Sequence, residues 1–157
     1  HYIKTGDPER LAGLLRKFLT AKKIDISSGP DLVAVVKSLL ERANTLVEMA
    51  DGAVFYYTDD LEFDEKTRSK FLTADKQEIF QSIIDNLMTC QDFTAEGLEK
   101  AFAVVMESTG LKFGKIAQPL RAALTGGSAS PGIYEVLEVL GKERALYRIK
   151  QAIEHLQ

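Results

Sequence analysis

Apolar residues recur at helical spacing in one segment after another from Leu11 to Leu156. A period of 3.6 buries one side of a helix, whereas a strand would scatter the same residues over both faces. Leu11, Leu14, Leu15, Phe18 and Leu19 form the first stripe, behind Asp7-Pro8, an N-cap followed by a proline at the first helical position. The spacing predicts a helix over residues 8–22.

Gly29-Pro30-Asp31 interrupts the pattern, which resumes with Leu32, Val35, Val36, Leu39, Leu40 and Ala43. Arg42 falls near the C-terminal end of that second helix, where a cation complements the helix dipole. Val54, Phe55, Tyr56 and Tyr57 suit either a short buried strand or helical turns, and short helices are the preferred reading. Thr73 is placed to cap a helix with the inner stripe Ile79, Phe80, Ile83, Ile84, Leu87 and Met88. Thr94 caps the next, which buries Leu98, Ala101, Phe102, Val105 and Met106 and stops at Gly110, a candidate left-handed residue.

The final third uses shorter elements. Pro119 should kink or split a helix over residues 116–124, because it removes one backbone donor. Ser130 can cap a helix with Pro131 at its first position, Gly141 ends that helix, and Leu146, Ile149, Ile153 and Leu156 face inward on the last one. The expected fold class is all-α, with two small helical lobes at 1–65 and 66–157 and a seam in the acidic connector near residues 59–73.

Several functions are disfavoured on composition and motif. No apolar run approaches the roughly 18–20 residues needed to cross a bilayer, so no membrane partner is expected. The start HYIKTGDPER has neither an initiating Met nor a signal-peptide core, and reads as a cut inside a longer chain. One cysteine and two histidines give no disulfide framework and no structural zinc site; Cys90 reads as a reduced, partly buried thiol in a reducing compartment. The acids Asp59, Asp60, Glu62, Asp64 and Glu65 do not follow the order of a calcium loop, so a solvated connector is favoured and no metal is expected. Neither a phosphate-binding glycine loop nor a serine nucleophile elbow occurs. His1 lies at the cut end and His155 on a solvent-facing part of the last helix, so no catalytic residue is assigned. A binding module is favoured over a self-sufficient hydrolase or transferase.

Charge is divided unevenly. Residues 1–110 carry 13 Lys/Arg against 19 Asp/Glu, a balance of −6, and residues 111–157 carry 7 against 4, a balance of +3. With a whole-chain net charge of −3, any attraction for a polyanion must come from a local patch: Lys112, Lys115 and Arg121, joined by Arg144 and Arg148. Arg121 and Arg42 each offer a planar fork of donors to a base or phosphate. A helix opening at Ser130-Pro131-Gly132 presents unpaired N–H groups, with a glycine that lets a nucleotide approach. Bases in a single-stranded RNA loop are what such a surface reads best, since duplex RNA hides its base edges. Each residue also has a plainer reading: Arg121 as a salt bridge within its lobe, Pro131 and Gly132 as a helix start, Ile133 as core, and Lys112 and Lys115 as a solvated face. Tyr134 and Tyr147 are read as interior rather than base-stacking. A helical protein-interaction module without RNA binding is the alternative.

The segments IAQPLRAALTG, SPGIYEVLEVLGKERALYRI, HYIKTGDPERLAGLLRKFL and LLERANTLVEMAD resemble the C-terminal anticodon-binding region of bacterial glutamyl-tRNA synthetases. The likeness spans the whole chain and is densest in PLRAALTG and LGKERAL. It implies a class I aminoacyl-tRNA synthetase whose Rossmann-type catalytic domain precedes His1 and uses ATP with Mg, and no cofactor in the present residues. It also implies a cytoplasmic monomer with tRNA-Glu as its partner, tRNA-Gln left open as a second substrate, and no DNA. By the same resemblance a cage of helices holds the anticodon loop. Arg121, Ser130, Pro131, Gly132 and Ile133 match positions at the anticodon pocket, and Arg42 matches one where an arginine senses the first anticodon base. Lys112 and Lys115 are read as phosphate-binding.

Overall fold

A computed structural model describes residues 7–27, 29–40, 42–58, 61–127 and 130–156. His1, Asp59 and Asp60, which figured in the reading above, lie outside the described residues. Among the described residues the regular structure is nine α-helices and one 3-10 turn, with no strand. The chain is all-α, and it divides into two compact units, His1–Asp59 and Asp60–Gln157.

The first unit holds α1 (Pro8–Ala21), α2 (Leu32–Leu39) and α3 (Leu46–Tyr57). Asp7 caps α1 by accepting the Glu9 N–H, and Asp31 caps α2 by accepting that of Ala34. Helix α3 absorbs the ambiguous Val54–Tyr57 run, for a physical reason visible at its tyrosines. Ser38 Oγ donates to the Val35 carbonyl, so the Tyr56 hydroxyl is the donor in their 2.9 Å contact, and Tyr57 Oη donates to the Pro30 carbonyl. Both phenols are thereby buried with their polar tips satisfied.

The second unit contains α4 (Glu65–Phe71), a 3-10 turn (Ala74–Lys76), α5 (Gln77–Thr89) and α6 (Ala95–Thr109). It ends with α7 (Phe113–Thr125), α8 (Ile133–Leu140) and α9 (Lys142–Glu154). Helices α5 and α6 pack on each other, and α9 lies against α5, α7 and α8. Thr94 caps α6, and Gly110 ends it in the left-handed conformation at φ 72°. Two charges on the last helices secure the α5–α6 turn: Glu138 accepts the Ala95 N–H at the start of α6, and Lys142 Nζ donates to the Cys90 carbonyl just past α5. Each charge faces the helix end of opposite polarity.

Several sequence expectations are revised. Thr73 bonds Asp75 and precedes the 3-10 turn rather than capping α5. Helix α7 runs through Pro119 undivided, because the proline costs only the bond to the Lys115 carbonyl, in an exposed first turn. Met88 is exposed, at the end of α5 where the stripe has rotated away from α6. The inner face of α9 is Ala145, Ile149, Ala152 and Arg148, with Leu146, Ile153 and Leu156 half-buried at its margins. Small alanines let three neighbouring helices approach, so the largest apolar side chains flank the contact instead of filling it.

Two outcomes are expected. A Cβ on Gly97 would overlap the Asp92 carbonyl oxygen, so Gly97→Ala should cost about 1–3 kcal/mol in urea-unfolding stability. Asp64, which caps α4, is held below the usual carboxylate range chiefly by the Thr67 N–H. Its contribution is therefore present above the unfolded-state value and lost as pH falls through the lowered folded value. A carbon-detected NMR titration should find the Asp64 midpoint below that of a model aspartate.

Candidate nucleic-acid interface

Helix α7 is the spine of the site. It buries Ile116, Ala117, Pro119, Leu120, Ala122, Ala123 and Leu124. That leaves Gly114, Gln118, Arg121 and Thr125 along the opposite stripe, at spacings of four, three and four residues. The C-terminus turns at Gly126, φ 80°, whose amide bonds the Ala122 carbonyl. A Cβ there would sit 3.2 Å from the Glu62 carbonyl oxygen, so glycine is required both by the dihedral and by the passing chain. Thr125 Oγ1 donates back to the Arg121 carbonyl and accepts the Gly127 N–H, closing the turn.

Arg121 is half-buried, and its Nε donates to Ser130 Oγ at 2.9 Å. Ser130 Oγ in turn donates to the Pro131 carbonyl at 2.8 Å. Ser130 therefore does not cap α8; its hydroxyl is used in linking Arg121 to the turn, and Gly132 is the N-cap residue with no side-chain bond. Ser130, Pro131 and Ile133 are all buried, while Gly132 is exposed. The first-turn N–H groups of α8, at Ile133, Tyr134 and Glu135, precede its first intrahelical bond, from Val136 to Gly132. The Glu135 carboxylate lies close to Gly132, 3.4 Å from where a Cβ would stand.

The cations do not form one patch. Lys115 lies six residues before Arg121, which on an α-helix is about 9 Å along the axis and about 120° around it. It lines a cleft of about 440 Å³ with Asp75, Lys76, Glu78, Ser82 and Ser108. Lys112 is exposed at the N-cap of α7. Arg148 does not join any surface patch: it is 3% exposed, and its Nη1 donates to the Leu124 carbonyl at 2.6 Å. Arg144 is half-buried beside Gly141, Lys142 and Glu143. The polar residue that the sequence reading passed over is Gln118, exposed one turn before Arg121; its position opposite the apolar stripe of α7 was the available signal.

The aromatic candidates separate. Tyr134 packs with Phe102 and Phe113 at ring-centre distances of 5.8 and 5.4 Å, and burial raises its hydroxyl above the ordinary phenol value, with Glu99 adding to the shift. Tyr147, expected inside, is 47% exposed, because α9 turns Ala145, Arg148 and Ile149 inward and leaves position 147 outside.

In the first unit, Arg42 is exposed between α2 and α3. Its N–H bonds the Leu39 carbonyl, and the following residues enter α3 through a cap in which Thr45 accepts the Glu48 N–H and Glu48 accepts that of Asn44. The backbone that follows Arg42 is tied into the α3 cap, and Arg42 itself is exposed. Among the described residues no group of three or more His, Cys, Asp or Glu could hold a metal, and no helix is long and apolar enough to cross a membrane.

An all-α chain with donors at its helix ends is suited to a binding domain. The family described as "Anticodon binding domain" matches residues 10–153, and the chain belongs to it. It is 51% identical over 153 residues to the glutamate–tRNA ligase of Geotalea uraniireducens, covering 98% of this chain and 33% of that protein. With the glutamate–tRNA ligase of Geobacter sulfurreducens it shares 47% over 157 residues, covering 100% and 34%. Among solved structures, the glutamate tRNA ligase of Elizabethkingia meningosepticum in complex with its amino acid superposes with a TM-score of 0.82 at 26% identity, over 96% of this chain and 30% of that one. The chain spans about a third of the length of the curated relatives it matches.

Ser130→Ala should lower unfolding stability by about 1.5–3 kcal/mol, the worth of a hydrogen bond to a charged group, and should break the contact made by the Arg121 Nε–H. Urea titration together with the Arg121 Nε–H resonance reads both effects.

Proposed function

We propose that this chain is the anticodon-binding part of a glutamate–tRNA ligase, an enzyme that attaches glutamate to tRNA-Glu with ATP, and that it holds the anticodon loop. The observation that carries the reading is the similarity of nearly the whole chain to glutamate–tRNA ligases. Adenylation with ATP and Mg, and transfer to the tRNA 3′ end, belong to a preceding catalytic domain in the cytoplasmic, monomeric parent. The present residues bind RNA and activate nothing.

In this reading Arg121 offers guanidinium donors to an unstacked base, with its approach fixed through Nε by Ser130. Pro131 and Ile133 act through the main chain, since their side chains are buried, and Gly132 supplies the bare approach. The Glu135 carboxylate beside Gly132 disfavours a phosphate there and leaves a base edge as the better occupant of the α8 start. Arg42 senses the first anticodon base. Lys112 and Lys115 hold backbone phosphates.

Two substitutions separate reading from holding. Arg42→Gln should shift preference among anticodon variants by about 1–3 kcal/mol. Lys115→Ala should weaken all tRNAs about equally and reduce the salt slope by about one. Footprinting should protect the anticodon loop of tRNA-Glu; protection confined to the acceptor stem, or none, contradicts the proposal.

A further inference from the structure

We propose that Arg148 is a positioning residue for this interface: its buried guanidinium, held against the Leu124 carbonyl, fixes the last turn of α7 and through it the direction of the Arg121 side chain. This rests on the reading of Arg121 as an RNA contact.

A guanidinium that is 3% exposed is costly to desolvate, and such a group persists where its donors are satisfied. The partner here is a carbonyl in the last turn of α7, one of the acceptors that a helix leaves without an internal donor and where the dipole favours a cation. Arg148 stands on α9, so the bond anchors α7 to a helix that also packs on α5 and α8. Leu124 lies three residues after Arg121, and Thr125 Oγ1 already holds the Arg121 carbonyl at 2.8 Å. The backbone from Arg121 to Thr125 is thus secured from two directions, by Thr125 within the helix and by Arg148 across it. Arg121 then enters the contact with Ser130 from a turn held at its own carbonyl and at that of Leu124. Lysine would keep the charge of Arg148 but not its planar fork of donors.

The test uses Arg148→Lys and Arg148→Gln in the 157-residue chain. The readouts are the solvent-exchange rate of the Arg121 Nε–H by NMR, thermal unfolding, and affinity for stem-loop RNAs that differ at one anticodon base. Arg148→Lys should speed Nε–H exchange by about tenfold or more while unfolding remains cooperative. It should also reduce preference among the stem-loops by about tenfold. Arg148→Gln, which lacks both the charge and the reach to Leu124, should change both at least as much. In an Arg121→Ala background, Arg148→Lys should have no further effect on preference.

A lower unfolding temperature with unchanged Nε–H exchange would make Arg148 merely structural and overturn the proposal. So would a loss of preference that persists without Arg121. If no stem-loop binds the unaltered chain, the proposed function fails, and Nε–H exchange still decides the positioning claim. Should neither variant fold, rapid solvent exchange of the Arg148 Nη1 hydrogens in the unaltered chain would equally refute it.

Discussion

The contact from Arg121 Nε to Ser130 Oγ, passed on to the Pro131 carbonyl, joins the end of α7 to the start of α8. It sets which groups of the turn face outward. A serine hydroxyl has one proton; because Pro131 takes it, the lone pair left for Arg121 is oriented. Among residues 130–133, burial of Ser130, Pro131 and Ile133 leaves Gly132 exposed. Under the proposed function a base approaching that point would meet main-chain donors and the Arg121 guanidinium, recognition by preorganisation rather than by a broad positive field. Few, local contacts are compatible with the net charge of −3.

Much of the fold was legible because helix boundaries depend on local chemistry. Asp7-Pro8, Thr94, Gly110 and Gly141 each act within a few residues of sequence, and each stands where its type predicts. Two of the misreadings come from another group competing for a capping side chain. Ser130 and Thr73 were both read as caps, but Ser130 is claimed by Arg121, nine residues earlier, and Thr73 by Asp75. The inward face of α9 was assigned to its largest apolar residues, whereas close packing selects Ala145 and Ala152. A sequence shows the apolar period but not the distance at which helices meet.

The sequence supplied the residue types of the candidate site but not their placement. Arg121 and the 130–133 run are brought together as one constellation, yet three of those four turn residues are buried. Lys112 and Lys115 belong to the other end of α7, and Arg148, counted as a surface cation, is inside. Charge counting places cations on surfaces by default. It could not reveal that a helix end within the second unit needed one.

Chemical-shift mapping of an anticodon stem-loop of tRNA-Glu onto the isotopically labelled chain tests the central claim most directly. The account requires saturable, salt-sensitive shifts at Gly127, Gly132 and the Arg121 side chain, with the interior amides of α5 unmoved. Saturable binding that leaves Gly132 and Arg121 unperturbed, or no binding at low salt, would contradict it.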